Sequence, residues 1–253
     1  MSVAERYTKE IHEGLKYWAA WSPGVLLQLG DCGPVWDFVF HRERNIRDYG
    51  VDFSELPGRA TEEWNYTSSK AVSWDVQAQA DTQNIIPQVP QGQAGIRVSF
   101  TRENALVFVA PGGVQSSVAD ITKLKQDLID KALDYGSPDL YPRDFAVITD
   151  LVKVQSATAL ISEGAAAEFV ASATADLTAG LVSLGDVKLG IARKSAKSVN
   201  ALLVARENVT PLFRGFKLKR GWWDSLKAVD LETVRDDESA LPFVDIEPAT
   251  LTA

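Results

Sequence analysis

Among its 253 residues the chain has one cysteine, one methionine and two histidines. A single thiol, Cys32, excludes a disulfide framework and a thiolate metal cluster. No run of about 18 apolar residues occurs, so helical membrane spans are excluded. Motifs with mechanical content are missing too: no His-Glu-x-x-His, no Gly-x-Ser-x-Gly, no Walker loop and no dinucleotide fingerprint after a strand. Only His12 and His41 could act as bases at neutral pH, and His12 falls on or beside an apolar helical stripe, a structural position. Cys32 with His41 would be a thiolate pair on paper, but a lone cysteine in a turn is ordinarily inert. Asp31, Asp236 and Asp237 lack the spacing of metal ligands. No residue set stands behind an enzyme, and neither a cofactor nor a metal is expected.

Positive charge is also in short supply. The net charge is −8, which argues against a nucleic-acid partner, since neutralising phosphates needs clustered Lys and Arg. The imbalance is concentrated: from Asp230 onward seven acids face one base, Arg235, a net of −6, which leaves −2 for the preceding body. That body can carry basic patches. The first residues, Met1 to Arg6, run into charge instead of an apolar core, so no secretory signal is expected and the expected location is the cytosol.

What the chain does have is alternation. From Ala71 to Asp81, Val72, Trp74, Val76, Ala78 and Ala80 fall on one side and Ser73, Asp75, Gln77, Gln79 and Asp81 on the other. From Glu168 to Ala179, Phe169, Ala171, Ala173, Ala175, Leu177 and Ala179 oppose Glu168, Ser172, Thr174, Asp176 and Thr178, with Val170 breaking the pattern. A period of two means extended chain with two chemically different faces. About ten alternating residues suit a membrane β-strand, and equally a half-buried strand of a soluble antiparallel sheet.

Around these stretches the pattern predicts an N-terminal amphipathic helix on Val3, Tyr7, Ile11, Leu15 and Trp18, with Ser2 and Glu5 as a capping box. It then predicts a strand from Val25 to Leu29, a turn over Gly30 to Pro34, and a strand from Val35 to His41 with Trp36, Phe38 and Phe40 on one face. Thr82 to Ala94 reads as a long loop. Ile96, Val98 and Phe100 alternate with polar residues, and Ala105 to Ala110 continues as an apolar strand. Val118 to Ala132 reads as a helix capped near Ser117 and stopped by Gly136. Phe145 to Ile161 is extended, with Val152, Val154, Thr158 and Leu160 sharing a face; Ser162 to Ala167 is short enough for a hairpin loop to the second alternating stretch. Val199 to Arg206 and Pro211 to Arg220 follow. No linker precedes Gly221, after which a helix and an acidic tail are expected.

Three basic clusters accompany aromatic or loop segments. Arg42, Arg44 and Arg47 follow the strand of Trp36 and Phe38; Arg193, Lys194 and Lys197 lie in a loop-like stretch; Lys217, Lys219 and Arg220 precede Trp222 and Trp223. Rings that settle among lipid headgroups beside cations that meet phosphates suit an anionic membrane surface, although each cluster alone is also an ordinary solvated face.

Taken in order, these elements resemble the pore-forming domain of the gasdermins, closest to the fungal gasdermin-like regulators of cell death. The local echoes are Trp36-Asp37-Phe38-Val39-Phe40-His41-Arg42 and Phe145-Ala146-Val147-Ile148-Thr149-Asp150-Leu151-Val152, and the likeness extends from about Ser2 to Arg220. It implies an α+β fold, a twisted antiparallel sheet with peripheral helices, over residues 1–220, with residues 221–253 as C-terminal helix and tail. It also implies a cytoplasmic protein that moves to the plasma membrane, binds acidic inner-leaflet phospholipids, and assembles with itself or with a related gasdermin-like chain. Residues 71–110 and 147–179 would become membrane-spanning hairpins, carrying Val72, Trp74, Val76, Ala78, Ala80, Ile96, Val98, Phe100, Val152, Val154, Leu160, Phe169, Ala171, Ala173, Ala175 and Leu177. Trp36 and Phe38 would be an inserting tip. Arg42, Arg44, Arg193, Lys194, Lys197, Lys217, Lys219 and Arg220 would meet lipid. The polar faces would line a mildly acidic lumen, as Asp75, Asp81, Glu168 and Asp176 outnumber Arg97 and Lys153. The family's inhibitory domain is expected to be missing, which puts activation by proteolytic release in doubt; a partner chain or masking by the acidic tail could take its place. The rival expectation is a soluble antiparallel β protein that binds an apolar ligand or a protein partner.

Overall fold

The computed structural model describes residues 2–36, 38–78, 81, 85–134, 145–173, 191–218 and 243–245. Ser2 and Glu5 form the expected capping box, the Ser2 hydroxyl accepting from the Glu5 N–H at 3.1 Å and the Glu5 carboxylate from the Ser2 N–H at 3.2 Å. Helix α1 (Val3–Leu15) begins there and ends where Lys16, in the left-handed region, donates its N–H to the His12 carbonyl. It buries Tyr7, Thr8 and Ile11. Trp18, expected on the same stripe, lies instead in strand β1 (Trp18–Ala19).

Eight short strands follow: β2 (Asp31–Trp36), β3 (Val39–Phe40), β4 (Arg44–Asn45), β5 (Arg59–Ala60), β6 (Trp64–Thr67), β7 (Val72–Gln77), β8 (Ala94–Phe100) and β9 (Leu106–Ala110). After β10 (Val114–Ser117) and helix α2 (Ile121–Asp134) come β11 (Phe145–Ser162), β12 (Glu168–Ala173), β13 (Ile191–Lys197), β14 (Val199–Leu218) and β15 (Phe243–Asp245). The strands whose register is described pair antiparallel, and the chain is an α+β protein.

The chain divides into two units. One comprises Met1–Leu26, Ala60–Val114 and Val152–Leu212, and the other Leu27–Arg59, Gln115–Leu151 and Phe213–Ala253. In the first, β6, β9, β11 and β14 form one layer, while β7, β8, β12 and β13 form a second, four-stranded sheet. Between the layers lies a core of Ile96, Val98, Phe100, Phe169 and Ala171 against Val107, Val109 and Leu160. On the other side of the first layer, Tyr7 and Ile11 of α1 meet Leu106, Phe108, Val152, Val154, Ala157 and Ala159. Both faces of β9 are therefore buried, which its unbroken run Leu106-Val107-Phe108-Val109-Ala110 reflects.

In the second unit, β2 pairs with β3, with β4 and with the start of β11, Val147 lying opposite Cys32. The expected strand at Val25–Leu29 is absent, and the expected turn at Gly30–Pro34 is largely strand. The reason is tertiary. Gly33 lies so close under the His41 carbonyl that a Cβ there would stand 1.8 Å from its oxygen, so the glycine serves a backbone crossing and not a turn. The buried Asp31 carboxylate anchors the strand by accepting from the Gln28 N–H, the Asn45 amide and Arg42 Nε. Helix α2 buries Leu124 and Leu128 as expected, but its cap is Asp120, which accepts from the Lys123 N–H at 2.8 Å. Ser117 ends β10 and donates to Asp150 instead. Gly136 lies outside the described residues, as does most of the acidic tail; the exception is β15, which pairs with β14.

Candidate functional site

The two layers of the first unit are joined four times, β6 to β7, β8 to β9, β11 to β12 and β13 to β14. Each joint contains a non-glycine residue with positive φ: Lys70 (59°), Asn104 (56°), Ala166 (61°) and Ser198 (51°). Neighbour order is the same in both layers, β6-β9-β11-β14 in one and β7-β8-β12-β13 in the other. Between the central strands register carries through as well, ten residues separating Thr158 from Glu168 and Val109 from Ser99 in the two facing pairs, whereas between β6–β7 and β8–β9 it slips by two, from Thr67 opposite Val107 to Val72 opposite Phe100. Within the corner the ladder continues, Ser162 N–H donating to the Ala105 carbonyl, Ala166 N–H to Phe100 and Phe100 N–H to Ala167. The two sheets are thus one antiparallel ribbon folded over along a single line.

This topology corrects one expectation. Ser162 to Ala167 does not join a hairpin, because β11 and β12 occupy different layers and pair with different strands. Nor do Val152, Val154 and Leu160 share a face. Val152 and Val154 face α1 with Ala157 and Ala159, while Leu160 faces the second sheet, so the alternation slips by one residue between Val154 and Ala157.

The first alternating stretch pairs as its pattern requires. Val72, Trp74 and Val76 stand opposite Phe100, Val98 and Ile96, and Asp75 stands opposite Arg97, to which it is bound at 2.6–2.8 Å. Burial falls from β8 to β7, which ends the order of the described strands: Ile96 is 2% exposed, whereas Val76 opposite it is 42% exposed. Ala78 follows the strand and is exposed; Ala80 is outside the described residues. In the second stretch Phe169 and Ala171 stand opposite Val98 and Ile96, and Ala173 opposite Ala94. Ala175 and Leu177 are outside the described residues.

The polar face is less open than the alternation suggests. Gln77 is buried: its Oε1 accepts from the Ile86 N–H at 3.0 Å, and its Nε2 donates to the Gln93 carbonyl at 3.2 Å. It thereby straps residues 85–93 across the sheet, where Ile86 and Val89 cluster with Val170. Gly95 makes room, as a Cβ there would stand 2.4 Å from the Val89 side chain. Val170, the break in the alternation, is an apolar residue beneath this strap.

Arg193, Lys194 and Lys197, expected in a loop, lie on β13. Register sets Arg193 opposite Ser172, Lys197 opposite Glu168 and Lys194 opposite Ala171. Arg193 and Lys197 therefore join Arg97 at the register positions of the polar face on which Asp75 and Glu168 are the acids; Asp176 lies outside the described residues. Lys194, at an apolar-face position of an edge strand, is the kind of charge that discourages open-edge pairing.

The aromatic tip divides. Trp36 is 53% exposed and stacks on His41 at 4.3 Å. Phe38 is 7% exposed, because the turn from β2 to β3 puts it at φ 61° and breaks the strand that would have aligned the two rings. Arg42 binds the buried Asp31 at 2.8 Å, and exposed Arg44 lies over the Tyr49 ring at 5.7 Å. Lys217 stands opposite Val244 in the β14–β15 pair; Lys219 and Arg220 are outside the described residues. The basic clusters thus fall in both units. Burial, then the neighbouring Asp31 charge, pushes the Cys32 thiol up to about 12, so the Cys32–His41 pairing supplies no thiolate near neutrality. Among the described residues no group of three or more His, Cys, Asp and Glu could hold a metal ion, and no helix is long and apolar enough to cross a membrane.

Sequence reasoning missed the corner itself. The signal was there in the polar breaks Arg102-Glu103-Asn104 and Glu163-Gly164 between apolar strand halves, which mark where each strand folds over. Fold and site together define a strand-rich α+β protein built on a bent, two-faced ribbon. No family model and no curated protein matches the chain.

Proposed function

We propose that this chain is a pore-forming protein of the gasdermin type. It binds acidic phospholipids of the inner leaflet from the cytoplasm, relocates to the plasma membrane, and assembles with itself or with a related gasdermin-like chain. Its ribbon straightens there into membrane-spanning strands, and permeabilisation brings regulated cell death. The observation that carries this reading is the shared neighbour order of the two layers, with the register of β9–β11 kept in β8–β12: opening the corner there extends the strands of β8–β9 and β11–β12 while keeping their pairing partners. A ribbon in hydrocarbon leaves its edge N–H and C=O groups unpaired, at several kcal/mol each, so only a closed ring of copies is stable. Barrel strands need about 9 to 11 residues to cross, which the strands joined through the corner exceed.

Val76 tests the reading cleanly. It lies on the apolar face yet is 42% exposed, so Val76→Arg leaves the folded protein intact. Facing lipid, the same arginine costs about 2 to 4 kcal/mol per copy at the midplane. Dye release from vesicles containing phosphatidylserine is expected with the unaltered chain, alone or with a related chain, and is expected to vanish for Val76→Arg at unchanged melting temperature. Equal release by both proteins would refute the assignment of that face, and vesicles that stay sealed throughout would leave the soluble binding protein as the better reading.

A further inference from the structure

The corner is held from outside the ribbon by one side chain of α1. Glu10 has only 14% of its side chain exposed, and its carboxylate reaches two of the four joints. It accepts hydrogen bonds from the Ser68 hydroxyl and, at 3.3 Å, from the Tyr66 hydroxyl. Arg102 Nη2 lies 3.7 Å away and Arg6 Nη1 3.9 Å away. Ser68 sits between β6 and β7, and Arg102 between β8 and β9. Both then pass the hold inward. Ser68 Oγ accepts from the Leu106 N–H at 2.9 Å, and Ser68 N–H donates to the Leu106 carbonyl at 2.8 Å. The Arg102 carbonyl accepts from Ser162 Oγ at 2.7 Å, and that oxygen accepts from the Ala105 N–H at 2.8 Å. Ser162 opens the third joint, whose next residue, Glu163, donates its N–H to the carbonyl of Ser198 in the fourth.

We infer that Glu10 is a latch: through Ser68 and Arg102 it holds the fold-over line closed, and loss of its carboxylate lets the ribbon open at lower cost. A carboxylate that accepts two hydroxyls and faces two guanidinium groups is an uncommon investment for a helix already seated by Tyr7 and Ile11. Two of its four partners, Ser68 and Arg102, sit on the joints, and a third, Tyr66, lies near the end of β6 that enters one. Glu13, three residues on, is exposed and serves as the comparison. The consequence for permeabilisation rests on the reading under Proposed function; the latch itself does not.

Hydrogen exchange in solution separates the two. In Glu10→Ala, and to a smaller degree in the nearly isosteric Glu10→Gln, the amides of Leu106 and Ala105 should exchange about tenfold faster. Glu13→Gln should leave them unchanged, and amides of α2 should keep their protection in all three. Unchanged exchange at Leu106 and Ala105 in Glu10→Ala overturns the latch, as does an acceleration spread evenly over the first unit, which would mean general destabilisation. On phosphatidylserine vesicles Glu10→Ala should release dye at a several-fold lower protein concentration than the unaltered chain. Faster corner exchange with sealed vesicles for every variant upholds the latch and rejects the pore, whereas unchanged corner exchange with leakage at an unchanged threshold overturns the latch and upholds the pore.

Discussion

At the scale of single residues, Arg42 and Arg44 are two residues apart and do different work. Arg42 neutralises a carboxylate with no exposed surface, at 2.8 Å, so Arg42→Ala leaves Asp31 buried and short of a donor. The expected cost is about 2 kcal/mol of stability, read as a lower denaturant midpoint. Arg44→Ala should leave the midpoint in place and weaken binding to anionic vesicles by about fivefold, since a cation near such a surface contributes about 1 kcal/mol. A loss of vesicle binding confined to Arg42→Ala would contradict this division. Alkaline stability is a second residue-scale property. Burial, then the Asp31 charge, pushes the Cys32 thiol up to about 12, and burial raises the phenol of Tyr7 as well. The folded chain therefore keeps protons that the unfolded chain releases, so stability is full below the ordinary thiol pKa of about 8.5 and declines as pH climbs above it. Melting temperature should be level up to pH 8 and fall between pH 9 and 11, and Cys32 should resist thiol reagents at pH 8 until the protein is denatured. Rapid modification of the folded protein would contradict the burial.

At the scale of elements, the strap over residues 85–93 hangs on Gln77, whose carboxamide makes three hydrogen bonds to its backbone. Gln77→Ala should expose the strap to limited proteolysis, with cuts rising several-fold within residues 85–93 while β6 to β9 stay intact; an unchanged digest would show that Ile86 and Val89 hold it alone. Gln77 also marks where the amino-acid pattern stopped being informative. The alternation of Val72, Trp74 and Val76 against Ser73 and Asp75 was legible because each strand has one wet and one dry face. Gln77 follows the same alternation, yet its polar atoms are spent on a chain segment and not on water. The start of helix α1 and its buried Tyr7 and Ile11 were legible, because a capping box and a stripe are local signals; its end before Trp18 was not. Partner choice was not: β11 and β12 are adjacent in sequence and belong to different layers, and only contacts remote in sequence decide that. The slip between Val154 and Ala157 is likewise invisible, since Ala157 suits either face.

At the scale of the whole molecule, the proposed pore-former is a ribbon with two shapes. Folded, it buries Ile96, Val98 and Phe100 against Val107 and Val109 and tolerates four left-handed joints, each an unfavourable conformation for an L-residue by about 1 to 2 kcal/mol. In the proposed membrane form, straightening would release that strain and exchange the inner core for lipid and for neighbouring copies. The acidic segment beyond Asp230 and a related chain remain the two routes by which the first shape could be held or released, and removing residues 230–253 should make the protein toxic on its own if the tail is the restraint. The most direct measurement is a distance across the corner. Asn65 on β6 and Ser73 on β7 are both exposed and can carry spin labels while Cys32 stays buried. In solution the stacked layers hold the two backbones roughly 10 Å apart; in leaking anionic vesicles an extended strand should separate them by about 26 Å. A separation that stays at its solution value while the vesicles empty would contradict the account.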